Sequence, residues 1–244
     1  MGWFGRVLQR TWFRDDGRTP WVRRTLVVVF ALLVPLPVLY LLVFRFVPVP
    51  ATPQMAFDFV TFEPVHHSWR DSGDISVHLK RAVIGSEDQN FCNHNGFDWE
   101  DIQQALKQHE RHPRRQLRGA STISQQVART LFLLPMRNWV RKGVEAWLTV
   151  LVEAMWPKER ILTAYLNLVD WGHGNFGAEA ASEAYFHVPA SILSKAQAAR
   201  MATVLPNPDK WRAARPGPYV ASRTETVMTR AWEVERDELD WCIK

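Results

Sequence analysis

Two adjacent acidic residues, Glu87 and Asp88, lie in the polar segment SEDQNFCNHNGFD, just past a stretch with helical periodicity. A carboxylate that is partly removed from water can have a raised pKa and can serve as a general base. The pair is therefore a candidate for proton-transfer chemistry. A solvated acidic turn is the alternative, and residue types alone do not exclude it.

Neutral donors and acceptors are concentrated at the start of a second helical pattern, GASTISQQVARTLFL at 119–133. Such residues can hydrogen-bond sugar hydroxyls, and the N-terminus of a helix can also face a phosphate. The alternative is an ordinary capping segment, although that needs only one Ser or Thr. The polar residues concerned are Ser121, Thr122, Ser124, Gln125 and Gln126.

Three charges interrupt the apolar segment WVRKGVEAWLTVLVEAMW at 139–156. Arg141 and Lys142 precede Glu145 by four and three residues, so all three lie on one face of a helix. Burial of charges in so apolar a helix is costly unless a site requires them. The alternative is an intrahelical ion pair worth a few tenths of a kcal/mol.

Helices must position these groups, because the periodicity after residue 57 is mostly helical. We expect Asp74 and Asp98 to cap two helices, and the helix over 139–156 to be central in the core and to end at Pro157. Further helices are predicted at 158–169, 177–186 and 190–205, with a Gly-rich turn, WGHGNFG, between the first two. The best strand candidate is 57–65, so the fold class is mainly α.

An uncharged apolar run from Leu26 to Phe44 approaches the roughly 20 residues that cross a bilayer. Arginines precede it, so we expect a cytoplasmic tail at 1–24, an uncleaved anchor at 25–47 and export of the rest of the chain. Pro35 and Pro37 should kink the anchor. Residues 48–56 are predicted to be a stiff, Pro-rich linker, and 57–244 a single domain.

The amino-acid composition excludes some classes of protein but does not identify the ligand. With 47% hydrophobic and 23% charged residues among 244, the chain is not disordered, collagen-like or of low complexity. The net charge of +5 suggests an anionic partner, which could be nucleic acid, acidic lipid or a phosphorylated substrate. Cys92 and Cys242 have no zinc spacing, and one long-range disulfide is possible but cannot be deduced.

In chain order, five segments resemble the motifs of the peptidoglycan glycosyltransferases, glycosyltransferase family 51, and the single span is similar to its monofunctional biosynthetic members. The resemblance covers about residues 57–230. It implies a lysozyme-like, predominantly helical domain that polymerises lipid II, with inversion to β-1,4 linkages and release of polyprenyl diphosphate. The segments are EDQNFCNHNGFD, GASTISQQVARTLFL, RKGVEA, KERILTAYLNLVDWGHGNFGAEAASEAYF and AQAARMATVLPNP.

The resemblance also implies roles for individual residues. Glu87 matches the general base, and Glu145 the second essential glutamate, which organises the donor diphosphate. Arg129 and Arg137 match cations near that diphosphate. The implied substrate-binding residues are Asp88, Phe91, His94, Ser121, Thr122, Gln125, Gln126, Arg129, Arg137, Arg141 and Lys142.

The sequence departs from the family pattern at Arg129-Thr130, where Lys-Asn is usual, and at His173, where Asp or Gln is more common.

The resemblance implies lipid II, a lipid-linked glycan and the bacterial inner membrane as partners, with the domain in the periplasm. Penicillin-binding and division proteins are further expected partners, and nucleic acid is not. No cofactor is required by the pattern, although a divalent cation such as Mg²⁺ could assist at the diphosphate.

Other functions fit less of the sequence. A lytic transglycosylase or muramidase would also be helical and exported, but it needs a general acid and gives the STISQQ and RKxxE segments no role. A bifunctional penicillin-binding protein would need a Ser-x-x-Lys motif, which is absent. A non-catalytic scaffold of the cell-wall machinery is the third alternative, and both glutamates argue against it.

Overall fold

Helices make up most of the chain, as expected. The structure, a computed structural model, describes residues 20–112, 121–134 and 139–243. The helices are α1 (Pro20–Leu33), α2 (Pro35–Phe44), α3 (Pro53–Val60), α4 (Val77–Glu87), α5 (Trp99–Arg111), α6 (Ile123–Phe132), α7 (Trp139–Met155), α8 (Lys158–Leu168), α9 (Ala178–Phe186), α10 (Lys195–Val204) and α11 (Pro218–Arg236).

The chain divides into two units after Tyr40. The apolar stretch Trp21–Phe44, which contains the predicted span, is long and apolar enough to cross a membrane. It is interrupted at Val34, where α1 ends and α2 begins. Pro35 and Pro37 follow directly and cannot donate helical hydrogen bonds, which accounts for the break.

Within the second unit, the segment 48–56 does not stand free as the predicted linker would. Val49, Thr52 and Met55 are buried. Before it, the carbonyl oxygen of Leu41 accepts a hydrogen bond from Trp156 Nε1 at 2.8 Å. The segment is therefore packed against the domain rather than acting as a spacer.

The predicted strand at 57–65 is wrong, because residues 57–60 belong to α3 and residues 61–65 form a turn and a loop. Thr52 caps this helix by accepting a hydrogen bond from the Met55 amide, and Pro53 occupies its first turn, where no amide hydrogen is needed. The strands are instead two residues each, β1 (His66–His67) and β2 (Asn175–Phe176), and they pair in parallel. The cap at Thr52 thus favours a helix in this segment, although its side chains favour a strand.

Gly174 brings the two strands together. Its φ is +75°, and a Cβ there would lie 2.1 Å from the carbonyl oxygen of Pro64. The neighbouring His173 also has a positive φ, +56°, and its side chain is exposed. The predicted Gly-rich turn is confirmed, and the unusual His173 occupies a position where it contacts solvent.

Two groups of three helices pack closely within the second unit. The helices α4, α10 and α11 pack on one another, and α6 packs on both α7 and α8. Gly85 allows α11 to approach α4 closely, since a Cβ at this position would lie 2.9 Å from the backbone carbon of Arg230. Both α11 and this close approach were missing from the sequence-based prediction.

Several helix boundaries also differ from prediction. Asp74 does not cap α4; it ends a 3-10 turn, and Ser76 is the cap, accepting from the His78 amide. Asp98 caps α5 as predicted. The predicted helix 190–205 is divided into a 3-10 turn, Ala190–Ile192, and α10, because Ser194 caps a new helix with Gln197 in a capping box.

The helix α7 is not central in the core. Glu145, Leu148, Thr149 and Val152 are buried, but the opposite face is exposed. Trp139 and Val140 are 91% and 79% exposed. The prediction was wrong because an all-round apolar pattern does not show whether protein or another apolar medium covers each face.

A disulfide joins Cys92 and Cys242, whose Cα atoms are 5.5 Å apart. Cys92 lies in the loop after α4, and Cys242 in the 3-10 turn Trp241–Ile243. The bond closes a loop over a sequence separation of 150 residues. Such bonds persist in oxidising compartments.

Candidate active site

Glu87 is the last residue of α4 and faces a cleft of about 360 Å³, here called the Glu87 cleft. The cleft also contacts Asp101, Gln104 and Ser121. Ser76 caps the start of α4, and the loop that follows the helix turns away at Asp88. The sequence thus places one partly buried carboxylate at a helix end that opens onto a polar cavity.

Gln126 binds Glu87 and orients it. The amide Nε2 of Gln126 donates a hydrogen bond to Glu87 Oε2 at 3.0 Å, and Tyr165 Oη donates to Gln126 Oε1 at 3.3 Å. Tyr165 is buried, and its burial raises the pKa of the phenol well above its usual value. The phenol therefore stays protonated as a donor and holds the amide with its nitrogen towards Glu87.

The pKa of Glu87 is raised above its usual range. Burial is the main cause, and the neighbouring negative charge of Asp88 adds to it. The hydrogen bond from Gln126 and the positive charges of Arg223 and Arg129 act in the opposite direction without cancelling it. A carboxylate with a raised pKa is a stronger base once it is ionised, which suits proton abstraction.

Asp88 serves a different purpose from Glu87. Its Oδ2 accepts a hydrogen bond from the Ile123 amide at 2.9 Å, and its Oδ1 lies 2.9 Å from His94 Nε2. The Gly96 amide donates to His94 Nδ1, so the proton of a neutral His94 lies on Nε2 and points at Asp88. Asp88 therefore joins the end of α4 to the first turn of α6.

Thr122 and Gln125 form a capping box at the start of α6. The Thr122 hydroxyl accepts from the Gln125 amide, and the Gln125 side chain accepts from the Thr122 amide at 3.0 Å. Thr122 also donates to the carbonyl of Gly96 at 2.7 Å. Both side chains are buried, so the structure gives these two predicted substrate-binding residues a capping role.

Phe91 is also fully buried, and the ammonium group of Lys158 lies 4.6 Å from its ring centre. Lys158 in turn pairs with Glu153 at 2.7 Å, and Ser124 donates a hydrogen bond to the same Glu153 oxygen. These contacts link α6, α7 and the start of α8. Phe91 thus supports the site from within the core and has no surface open to a substrate.

Glu145 is buried and pairs with both cations of its own helix. Arg141 Nη1 donates to Glu145 Oε2 at 2.8 Å, and Lys142 Nζ donates to Oε1. Lys142 also lies 3.4 Å from Ser121 Oγ, and Gln126 Nε2 is within 3.5 Å of the Ser121 carbonyl. A continuous chain of polar contacts thus runs from Glu145 through Lys142, Ser121 and Gln126 to Glu87.

A second cleft, of about 290 Å³, lies on the other side of Gln126 and is here called the Arg129 cleft. It contacts Gln126, Arg129, Arg141 and Tyr165. Arg129 is exposed, and Arg141 is mostly buried against Glu145. The cleft therefore contains two guanidinium groups and the carboxylate of Asp170, and its lining residue Gln126 donates a hydrogen bond to Glu87.

The structure brings together most of the predicted site residues. Residues that line one of the two clefts are Glu87, Asp88, Ser121, Thr122, Gln126, Arg129 and Arg141. His94, Gln125, Lys142 and Glu145 contact these lining residues. Arg137 lies outside the described residues. The resemblance-based roles of these residues remain predictions.

Sequence reasoning missed three residues. Tyr165 was assigned only to the apolar face of a helix, yet its hydroxyl binds Gln126. Arg223 and Arg230 belong to α11, and Arg230 lines the Glu87 cleft. The periodic apolar positions Val220, Val227 and Val234, all buried, were the available signal for α11.

The described residues offer no protein cage for a metal. Across 20–112, 121–134 and 139–243, no three His, Cys, Asp or Glu side chains are grouped so as to hold an ion. The acidic groups of the site are instead occupied by protein donors, as with Asp88 and Glu145. Assistance by a divalent cation at the diphosphate stays a prediction.

Comparison with known proteins assigns the chain to a family. A family model described as Transglycosylase matches residues 56–231. A biosynthetic peptidoglycan transglycosylase of Caulobacter vibrioides is 45% identical over 222 residues, covering 91% of this chain and 96% of the relative. Proteins of the same name are 50% identical in Chromohalobacter salexigens (85% and 92% covered) and 46% in Pseudomonas aeruginosa (80% and 86% covered).

Proposed function

We propose a lipid II polymerase mechanism for this chain, which belongs to the transglycosylase family. The chain is a peptidoglycan transglycosylase of cell-wall synthesis. The finer proposal is that it joins lipid II units into β-1,4-linked glycan with inversion at the anomeric carbon and release of polyprenyl diphosphate. The observation that carries it is the Glu87 carboxylate, which lines a polar cleft, has a raised pKa and accepts a hydrogen bond from Gln126, itself a lining residue of the cleft that contains Arg129 and Arg141.

Glu87 is the proposed base. Gln126 donates a hydrogen bond to Oε2 of Glu87. Within the described part of the chain, Oε1 of Glu87 accepts no protein hydrogen bond. The proton of the acceptor 4-hydroxyl passes to Glu87 while its oxygen forms a bond to C1 of the donor sugar. The bond from C1 to the diphosphate breaks, and its electron pair leaves with the diphosphate. A single displacement of this kind inverts the centre and needs one base.

Arg129, Arg141 and Lys142 are the proposed stabilisers of the leaving diphosphate. Arg129 and Arg141 line the same cleft, and Lys142 lies between Glu145 and Ser121. Charge-assisted hydrogen bonds to diphosphate oxygens strengthen as negative charge develops there. Arg137 belongs to this proposal through the family resemblance.

Glu145 is proposed to be a positioning residue rather than a second base. Arg141 donates to one of its oxygens and Lys142 to the other. Removal of a buried carboxylate from such a triad leaves two cations without their partner. We expect Glu145→Gln to lower turnover by displacing these cations, while the pH dependence set by Glu87 is unchanged.

A polymerisation assay tests the function. Detergent-solubilised protein is incubated with labelled lipid II, and polymer is separated from monomer. The parent should form polymer, Glu87→Gln should lose about 10² to 10⁴ in rate, and Glu110→Gln should resemble the parent. Glu110 is the control, because it is an exposed acid of α5 that lines neither cleft. Hydrolysis of preformed glycan without polymerisation would favour a lytic enzyme, and no reaction in either assay would favour a scaffold.

We further propose that the N-terminus is cytoplasmic and that residues 57–244 face the periplasm. The apolar stretch Trp21–Phe44 and the arginines before residue 25 support this orientation. Alkaline phosphatase fused after Lys244 should be active, whereas a fused reporter that works only in the cytoplasm should be inactive. The opposite pair of results would contradict the orientation and the compartment of the substrate.

A further inference from the structure

A third cavity, of about 240 Å³, lies between α4 and α11, and is here called the Arg223 pocket. Ser86 lines it from α4, and Tyr219, Ser222, Arg223, Thr226 and Arg230 line it from α11. None of its lining residues is acidic. The pocket therefore presents two guanidinium groups and several hydroxyls, a donor set that suits an oxyanion.

Neither arginine makes a close ion pair with any described residue, although the charge of Arg223 is near enough to lower the pKa of Glu87. In the part of the chain that the structure describes, Arg223 and Arg230 form no ion pair, and the buried Nε of Arg223 has no hydrogen-bond partner. A buried donor without a partner costs free energy comparable to a lost hydrogen bond. An anionic ligand in the pocket would satisfy this donor.

The two arginines are held in place on one face of α11. They are seven residues apart, which is close to two helical turns and about 10 Å along the axis. Arg223 lies 5.9 Å from the ring centre of Trp211, and Gly85 fixes the backbone of α11 at Arg230 against α4. The Arg223 guanidinium and the backbone at Arg230 thus each have a defined contact within the domain.

The Arg223 pocket adjoins the proposed base. Ser86 and Arg230 line both this pocket and the Glu87 cleft. The Glu87 cleft is lined by several acids, among them Asp98, Glu100 and Asp101, which suits neutral sugar hydroxyls and repels anions. An acceptor with a neutral sugar and a nearby anionic group would find complementary surroundings in these two adjoining cavities.

We propose that the Arg223 pocket binds an oxyanion of the acceptor lipid II while Glu87 takes the proton from the acceptor hydroxyl. The inference rests on the proposed function. Lipid II carries two kinds of oxyanion, the carboxylates of its peptide and the phosphates of its diphosphate. The pocket shares no described lining residue with the Arg129 cleft, where Arg129 and Arg141 are assigned to the leaving group.

Binding is best measured with Glu87→Gln as the parent. This change prevents turnover and also removes any effect of Arg223 on the charge of Glu87. Three lipid-free probes separate the possible ligands: the disaccharide-peptide with free carboxylates, the same compound with its carboxylates amidated, and the disaccharide diphosphate without peptide. Each is titrated against detergent-solubilised full chain, and Kd is followed by ligand-observed NMR.

Arg223→Gln and Arg230→Gln should each weaken binding about tenfold, because each removes charge-assisted hydrogen bonds. A loss seen with free carboxylates but not with the amidated probe identifies the peptide as the ligand. A loss confined to the diphosphate probe identifies the diphosphate. Arg236→Gln is the control, since Arg236 is exposed on the same helix and pairs with Asp237.

Unchanged Kd values for all three probes in both variants would overturn the inference. Thermal unfolding of every variant shows whether the fold is retained, and Arg230 still provides the test if loss of the Trp211 contact unfolds Arg223→Gln. Failure of the proposed function has a different signature. In that case the protein with Glu87 intact does not polymerise lipid II, whatever the binding of the probes.

Discussion

Gln126 donates a hydrogen bond to Glu87 across 3.0 Å and joins two helix groups that come from different parts of the chain. Glu87 ends α4, whereas Gln126 lies in the first two turns of α6. The donor is neutral, so it fixes the carboxylate without the large fall in pKa that a buried cation would cause. The base can therefore be held in position and still bind a proton.

The loss of the Gln126 hydrogen bond should move the acidic limb of the pH profile. That bond lowers the pKa of Glu87, so Gln126→Ala should raise this pKa further. Activity requires ionised Glu87, and the acidic limb of kcat against pH should shift to higher pH. Gln104→Ala, in the same cleft but without a bond to Glu87, should leave the limb in place. A lower kcat with an unshifted limb would contradict this role.

Glu87→Gln should stabilise the protein at neutral pH. Burial raises the folded-state pKa of Glu87 above its unfolded value, so between these two values the folded state binds more protons. The free energy of unfolding then falls as pH rises through this window, by about 1.4 kcal/mol for each pH unit that separates the two pKa values. Thermal unfolding in detergent should give a higher Tm for the variant at pH 7.

The difference in Tm should vanish below about pH 4, where the carboxyl group is protonated in both states. Glu100→Gln, an exposed control from the same cleft, should show no comparable gain. A Tm of Glu87→Gln below that of the parent at pH 7 would mean that the ionised carboxylate stabilises the fold, contrary to the direction derived from its burial.

Residue type and spacing singled out Glu87 and the group of Arg141, Lys142 and Glu145, whereas Arg129 entered the predicted site through the family resemblance alone. The contacts that support these residues were harder to predict. The capping box of Thr122 and Gln125 was interpreted as a sugar-binding set, because a cap and a binding site use the same hydroxyls and amides. Only the burial of both side chains separates the two interpretations.

The sequence alone did not predict the contacts between residues that are far apart in the chain. The hydrogen bond of Tyr165 to Gln126 joins residues 39 positions apart, and Tyr165 has the spacing of an ordinary core residue. The disulfide could not be deduced either, because two cysteines 150 residues apart meet only through the fold. Strand propensity likewise gave the wrong prediction at α3. The Thr52 cap and Pro53 favour a helix there, although the composition of the segment is typical of a strand.

Arg129 should act on turnover rather than on membrane attachment. Its guanidinium is exposed in the Arg129 cleft. Arg129→Ala should lower kcat at saturating lipid II by about 10²-fold, at low and high salt alike, if it stabilises the leaving diphosphate. Arg129→Lys, which restores the family's usual residue, should keep most of the activity.

The exposed Arg212 provides the control for Arg129. Arg212→Ala should affect only membrane association, and this effect should disappear at high salt because surface charges are screened. Normal turnover of Arg129→Ala at saturating substrate would transfer the leaving-group role to Arg141 and Lys142.

The disulfide should stabilise the second unit substantially. Replacement of both Cys92 and Cys242 by Ala should lower the free energy of unfolding by about 2 to 5 kcal/mol. Thermal unfolding of the detergent-solubilised protein measures this, and a reducing agent should lower the Tm of the parent but not that of the double variant. An unchanged parent Tm under full reduction, verified by thiol titration, would show that the bond contributes little.

Gly85 has no side chain with which to take part in any reaction, yet that missing side chain is what lets α11 lie against α4. Every substitution there adds at least a methyl group in the space of the Arg230 backbone. The resulting displacement would move Arg230 and the end of α4 together, and so both the base and its surroundings. Among random substitutions of this protein, Gly85 should be one of the least tolerant positions, although no reaction step would point to it.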